Sequence, residues 1–177
     1  PTSGMSRLYP GQLYVLQYHG RGGSAGGEPE YSEREDGTVN NRSFYNEILT
    51  EHNLRPEHKH DLPDADLILD GVNPSCGDEI TLKLKVDGDT IVDGAFVGDG
   101  CAISQASVDI MLGMIIGKKK DEALHLGELF FKMIRGEASE TEVEELEEAS
   151  ALQDIAHMPA RTKCAVLGWR TLKEILK

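Results

Sequence analysis

Ile80-Thr81-Leu82-Lys83-Leu84-Lys85-Val86 is the stretch that decides the fold. Four aliphatic side chains alternate with one Thr and two Lys, the period of a strand with an apolar face and a wet face. The residues after it, Asp87-Gly88-Asp89, suit a tight hairpin turn, because glycine accepts the positive φ that such turns demand. Residues 90–97 then form the return strand, with Gly94 placed for a bulge. Upstream, Ala65, Leu67 and Leu69 fall on one face of a further strand. A sheet with one solvated face calls for antiparallel pairing and for helices on the other face only. The expected fold class is α+β: a three-stranded antiparallel sheet with helices packed on one face.

The flanking segments carry the helical period. Ser43 is placed to N-cap an opening helix with Phe44, Ile48 and Leu49 on its apolar side, ending before Pro56. Glu57-His58-Lys59-His60-Asp61 is a polar connection whose two histidines are either solvated or metal donors. After Cys101, the residues Ile103, Ala106, Ile110, Met111 and Met114 repeat at helical spacing up to Gly117. Asp121 is expected to cap a second helix that buries Ala123, Phe130 and Ile134. Ser139-Glu140-Thr141-Glu142 is a capping box opening an acidic helix with Val143, Leu146 and Ile155 as sparse apolar points. Pro159 suits the first turn of a last helix, with Ala165, Trp169, Leu172 and Leu176 as its inward stripe.

A chain of 177 residues, 39% of them hydrophobic, fits one domain with an appendage. No apolar run approaches the roughly 18 residues of a membrane span, and the start lacks a charged-then-apolar leader pattern. A soluble, cytoplasmic protein is expected. The net charge of −13 argues against nucleic acid as a partner, since phosphate binding needs a basic stripe. Residues 1–40 have a different texture: residues 8–18 are aromatic, 20–27 are linker-like and 28–36 are mostly acidic. Pro1-Thr2-Ser3-Gly4 before Met5 reads as an expression scar. The expected organisation is a flexible N-terminal extension over 1–40 and one folded domain over 41–177.

Three cysteines carry the chemistry. Cys76 lies in Asn73-Pro74-Ser75-Cys76-Gly77-Asp78, Cys101 in Gly98-Asp99-Gly100-Cys101-Ala102-Ile103-Ser104, and Cys164 in Ala160-Arg161-Thr162-Lys163-Cys164. An odd count argues against a disulfide framework. Gly77 lets its turn bend so that Cys76 and Asp78 can both point inward. Cys101 and Cys164 are expected near helix N-termini, where the positive end of the dipole favours thiolate. Three thiolates and one carboxylate suit tetrahedral zinc. The spacing is not that of close Cys-x-x-Cys pairs, so the fold must bring the donors together. Buried, inert thiols are the competing reading. Arg161 and Lys163 flank Cys164 either as solvated cations or as groups that steer a partner.

These three motifs, in this order, resemble the cysteine motifs of the IscU/SufU proteins, the NifU N-terminal family of iron–sulfur cluster assembly. The resemblance covers roughly residues 43–177 and includes Tyr45, His52 and Pro56, with Arg55 a departure from the relatives' Asn. It implies an IscU/SufU-like domain over 41–177. Lys163 stands where the scaffold branch has His, and the interval from Cys101 to Cys164 is longer, with the acidic stretch 139–151 as the insertion. Both features resemble the SufU-type branch. For that branch the resemblance implies Cys76, Asp78, Cys101 and Cys164 as zinc ligands, and Cys76 as the residue that accepts persulfide sulfur. It further implies a zinc-dependent sulfurtransferase whose partners are a pyridoxal-phosphate cysteine desulfurase and a downstream iron–sulfur scaffold. Two alternatives stay open. One is a scaffold on which a [2Fe-2S] cluster is assembled by the same ligands, and the other is a structural zinc module with no chemistry.

Overall fold

The strands pair as their alternation demands. In the computed structural model, which describes the backbone of residues 41–177 and the side chains from Glu47 onward, β1 (Leu67–Asn73), β2 (Asp78–Asp87) and β3 (Thr90–Asp99) form one antiparallel sheet in that order. The extension over residues 1–40 lies outside the described residues. Ile80, Leu82 and Leu84 of β2 are fully buried. The bulge sits at Val92, between the pairs Lys85–Asp93 and Val86–Ile91, and not at Gly94.

Five helices accompany the sheet among the described residues: α1 (Asn41–Leu54), α2 (Ala102–Ile115), α3 (Lys120–Ile134), α4 (Glu140–Glu145) and α5 (Pro159–Ile175). Gly94 faces α2, and a Cβ there would lie 2.8 Å from Leu112 Cδ2. Trp169 of α5 is fully buried and stacks on Phe130 of α3 at 4.5 Å. Its Nε1–H donates to Ser107 Oγ at 3.2 Å, and that hydroxyl donates to the Ala165 carbonyl at 2.7 Å. The indole is therefore buried with its one polar group satisfied.

Several expected boundaries move, each for a tertiary reason. Ser43 lies inside α1, not at its cap. The cap position of α3 is Lys119, which leaves Asp121 in the first turn. The β2–β3 hairpin sets this start: Gly117 donates to the Ile91 carbonyl, Ile91 to that of Lys118 and Lys120 to that of Asp89. The Ser139 capping box forms as expected, with contacts of 2.9 and 3.3 Å to Glu142. Yet α4 is only six residues long and gives way at Glu147 (φ 46) to a 3₁₀ run over Glu147–His157. Leu146, Ala149, Leu152 and Ile155 are all fully buried, and their spacing of three is the 3₁₀ repeat.

The polar connection before β1 is structural. Its His58 carbonyl accepts the Phe96 N–H at 2.9 Å, which occupies the outer edge of β3. Asp61 and Asp64 pair with Lys83 and Lys85 across the face away from the helices, and Leu62 is buried there. The face expected to be wet is thus partly roofed by the chain itself.

Candidate metal centre

Two turns and one helix converge at the end of the sheet. Between β1 and β2, the Asn73 carbonyl accepts the N–H groups of Cys76 (3.3 Å) and Gly77 (3.0 Å), with Gly77 at φ 73 as its sequence position requires. The Asn73 side chain accepts from the Ser75 N–H at 3.3 Å and donates to Cys76 Sγ at 2.8 Å. Asp78 then opens β2 with 1% exposure. At the end of β3, Gly98 takes φ 128, and a Cβ there would fall 2.2 Å from the Glu79 carbonyl oxygen. Only glycine lets β3 leave the sheet so close to β2. Cys101 follows as the N-cap of α2, its sulfur accepting the Ser104 N–H at 3.4 Å.

Three of the four sequence-selected donors meet, and Cys101 lies beside them. The Cys76 thiol donates to Asp78 Oδ2 at 2.7 Å and lies 3.4 Å from Cys164 Sγ. Donor atoms of Cys76, Asp78 and Cys164 all lie within 4.8 Å of one another, a group that can hold a metal ion. Cys101 joins through Asp78: its sulfur is 3.8 Å from Oδ2, and its backbone N–H donates to Oδ1 at 2.8 Å. Donors around a tetrahedral zinc stand about 3.5–3.8 Å apart. The sulfur–sulfur and Cys101–Asp78 contacts are already near this, and the Cys76–Asp78 contact must open by under about 1 Å. The Cys76, Asp78 and Cys164 donors therefore fit a metal ion by type and spacing, and Cys101 lies outside that three-residue group.

Burial works to raise the Asp78 carboxyl, but hydrogen bonds from the Cys76 thiol and the Cys101 N–H outweigh it and hold the group below the usual carboxylate range. Cys164 shows the opposite balance. Burial first, then the neighbouring Cys76, Cys101 and Asp78, push its thiol far up. It is the sixth residue of α5, beyond the first turn where the helix dipole acts, so the thiolate bias expected of a helix start does not reach Cys164. A cation among these groups reverses that balance, because coordination deprotonates a thiol outright. Exposure is graded across the cluster: Cys76 is open, Cys101 half-buried and Cys164 buried.

Lys163 is exposed, and its Nζ donates to Ser75 Oγ at 3.2 Å, tying α5 to the turn that carries Cys76. Arg161 is exposed on the first turn of α5. Sequence reasoning missed Asp109, a fully buried carboxylate on α2. It receives His52 Nδ1–H at 2.6 Å and the backbone N–H groups of His58 (2.8 Å) and Glu57 (3.4 Å). A lone acid amid the apolar run from Ile103 to Ile116 was the available signal. Gln105, beside the cluster, was missed as well.

An α+β domain that gathers the thiols of Cys76 and Cys164 and the Asp78 carboxylate at one end of its sheet, with Cys101 beside that carboxylate, is one able to hold a metal ion there. Residues 44–165 match the NifU-like N-terminal domain, and the chain belongs to that family. It is 41% identical over 134 residues to the iron–sulfur cluster assembly scaffold protein IscU of Streptococcus pyogenes, covering 76% of this chain and 83% of that one. It is 37% identical over 132 residues to the zinc-dependent sulfurtransferase SufU of Bacillus subtilis, covering 75% and 88%. A crystal structure described as an iron–sulfur cluster assembly scaffold protein for the SUF system, from Fervidobacterium islandicum, superposes with a TM-score of 0.70 at 38% identity. That match covers 74% of this chain and 95% of the other.

Proposed function

We propose that this protein serves iron–sulfur cluster biogenesis as a zinc-dependent sulfur acceptor, with Cys76, Asp78, Cys101 and Cys164 holding the metal and Cys76 taking the sulfur. The observation that supports the division of labour is the exposure gradient: among three clustered sulfurs, only that of Cys76 lies on an exposed residue. Zinc in this set supplies a redox-inert positive charge that keeps its sulfurs as thiolates.

The donor is a persulfide on a pyridoxal-phosphate cysteine desulfurase. The Cys76 thiolate attacks the terminal sulfur of that R–S–SH. A new S–S bond forms at Cys76, the donor S–S bond breaks, and R–S⁻ leaves with the electron pair, so the terminal proton stays with the transferred sulfur. Asn73, donating to Cys76 Sγ, orients that sulfur, and Lys163, bonded to Ser75, holds the turn. Arg161 and Lys163 offer positive charge to the incoming partner on a chain of net charge −13. A downstream iron–sulfur scaffold takes the sulfur onward. The activity belongs in the cytoplasm, where thiols remain reduced.

The test is desulfurase turnover with and without this protein. Wild type is expected to accelerate it and Cys76→Ala to leave it at the basal rate with the fold intact. Unchanged stimulation by Cys76→Ala sinks the acceptor role. The scaffold reading is supported by the S. pyogenes relative's name and uses the same four donors. Lys163 weighs against it, since Lys is a poor iron ligand at neutral pH. Anaerobic reconstitution separates the two, because a stable coloured cluster favours the scaffold and about one zinc per chain favours the acceptor.

A further inference from the structure

Gln105 stands one helical turn beyond Cys101 on α2 and is 8% exposed. Neither its Nε2 nor its Oε1 has a hydrogen-bond partner among the described residues. A buried amide left so forfeits its hydration with no return, a cost a fold keeps where the group has a use. Helical side chains lean toward the helix N-terminus, which carries this amide back to the Asp99–Gly100 turn beside the cluster. A Cβ built on Gly100 would lie 3.2 Å from Gln105 Nε2 and 3.0 Å from Asp78 Oδ1. Amide nitrogen and carboxylate oxygen therefore both lie beside Gly100. A cleft of about 270 Å³, walled by His52, Asn53 and Lys59, adjoins Gln105, yet both amide atoms are closed to solvent.

Asp78 divides its oxygens. Oδ1 takes the Cys101 N–H at 2.8 Å, while Oδ2 faces the sulfurs of Cys76 and Cys101. Oδ1 keeps a second lone pair, and Gln105 Nε2–H is the nearby unused donor. We propose that Gln105 is a positioning residue for the metal centre: when Oδ2 engages a cation, Gln105 donates to Oδ1 and fixes the carboxylate to bind through one oxygen. The inference rests on the reading of Asp78 as a metal ligand. Partners of this kind orient ligating carboxylates, and their loss typically costs about 10–100-fold in metal affinity.

The experiment compares the full chain with Gln105→Met, an apolar side chain of similar length, in two measurements. One is thermal unfolding of chelator-treated protein, and the other is zinc affinity by competition with a chromophoric chelator. An orphaned amide predicts that Gln105→Met leaves the unfolding midpoint of stripped protein unchanged or raises it, while zinc affinity falls about tenfold or more. A merely structural glutamine moves both in the same direction. A lowered midpoint in stripped Gln105→Met means the amide is already satisfied, and overturns the proposal. Zinc held equally by wild type and Gln105→Met overturns it alone. Zinc held equally by wild type and Asp78→Ala overturns the ligand reading and this inference with it.

Discussion

Replacing Asp109 with alanine tests whether one buried carboxylate holds three parts of the domain together. Its side chain is fully buried and ties the end of α1, through His52, and the connection, through His58 and Glu57, onto α2. Removing one partner of a buried pair costs roughly 3–5 kcal/mol. His52 keeps 16% side-chain exposure and a second contact to Glu148 at 3.3 Å, which can relieve its stranded charge and places the loss at the lower end. For a domain of this size, about 3 kcal/mol lowers the unfolding midpoint by about 10 °C. The pair also sets a pH dependence. The hydrogen bond to Asp109 raises His52 above its ordinary 6.5 against the effect of burial, so its contribution is complete below about pH 6.5 and is lost as pH rises through the folded value. Burial works to raise Asp109, but bonds from His52 and the His58 N–H hold it below its ordinary 3.8, so its contribution is complete above that value and is lost as pH falls through the folded one. The pair stabilises most between those two ordinary values. The assay is thermal unfolding of chelator-treated protein from pH 5 to 9, for wild type, Asp109→Ala and His52→Gln. Wild type is expected to lose stability as pH climbs above about 6.5, and both variants to lose that slope. A cost below about 1 kcal/mol for Asp109→Ala, or a slope that survives in His52→Gln, refutes the reasoning.

Asp78→Ala removes a proposed donor and strands the Cys101 N–H, so zinc competition curves should shift toward the chelator and the stripped protein should lose about 1–3 kcal/mol; an unmoved curve means the carboxylate does not bind metal. Gly98→Ala and Gly77→Ala should differ sharply in urea denaturation. At Gly77 a Cβ meets open space, so only the left-handed backbone penalty of about 1–2 kcal/mol applies. At Gly98 the Cβ meets backbone at 2.2 Å, so the loss should exceed about 3 kcal/mol and loosen the turn into Cys101. Equal costs at the two sites would mean that β3 can shift away from β2 there.

Much of this protein was legible before any fold was in view. Alternation over Ile80–Val86, the Ser139 box and Pro159 are local signals, and each marks a real start, although the helix opened at Ser139, expected to reach Ile155, stops at Glu145. The 3₁₀ run was also written in the chain as apolar residues every third position from Leu146 to Ile155, but they pass for a sparse helical stripe until their burial is seen. The start of α3 and the bulge at Val92 depend on hydrogen bonds between segments far apart in sequence, which no local window contains. Donor types behave as the strands do. The chemistry of Cys76, Asp78, Cys101 and Cys164 marks them as candidate donors, and the fold brings Cys76, Asp78 and Cys164 within 4.8 Å of one another. The contact between Cys76 and Cys164 spans 88 residues of chain, and that between His52 and Asp109 spans 57. By itself the sequence determined periodicity, turn geometry and which side chains are candidate donors, because these rest on short-range sterics and side-chain chemistry. Only the tertiary structure decided which sulfur is open, which thiol is pushed up by burial and which amide is left unpaired, because burial and proximity come from packing distant elements together.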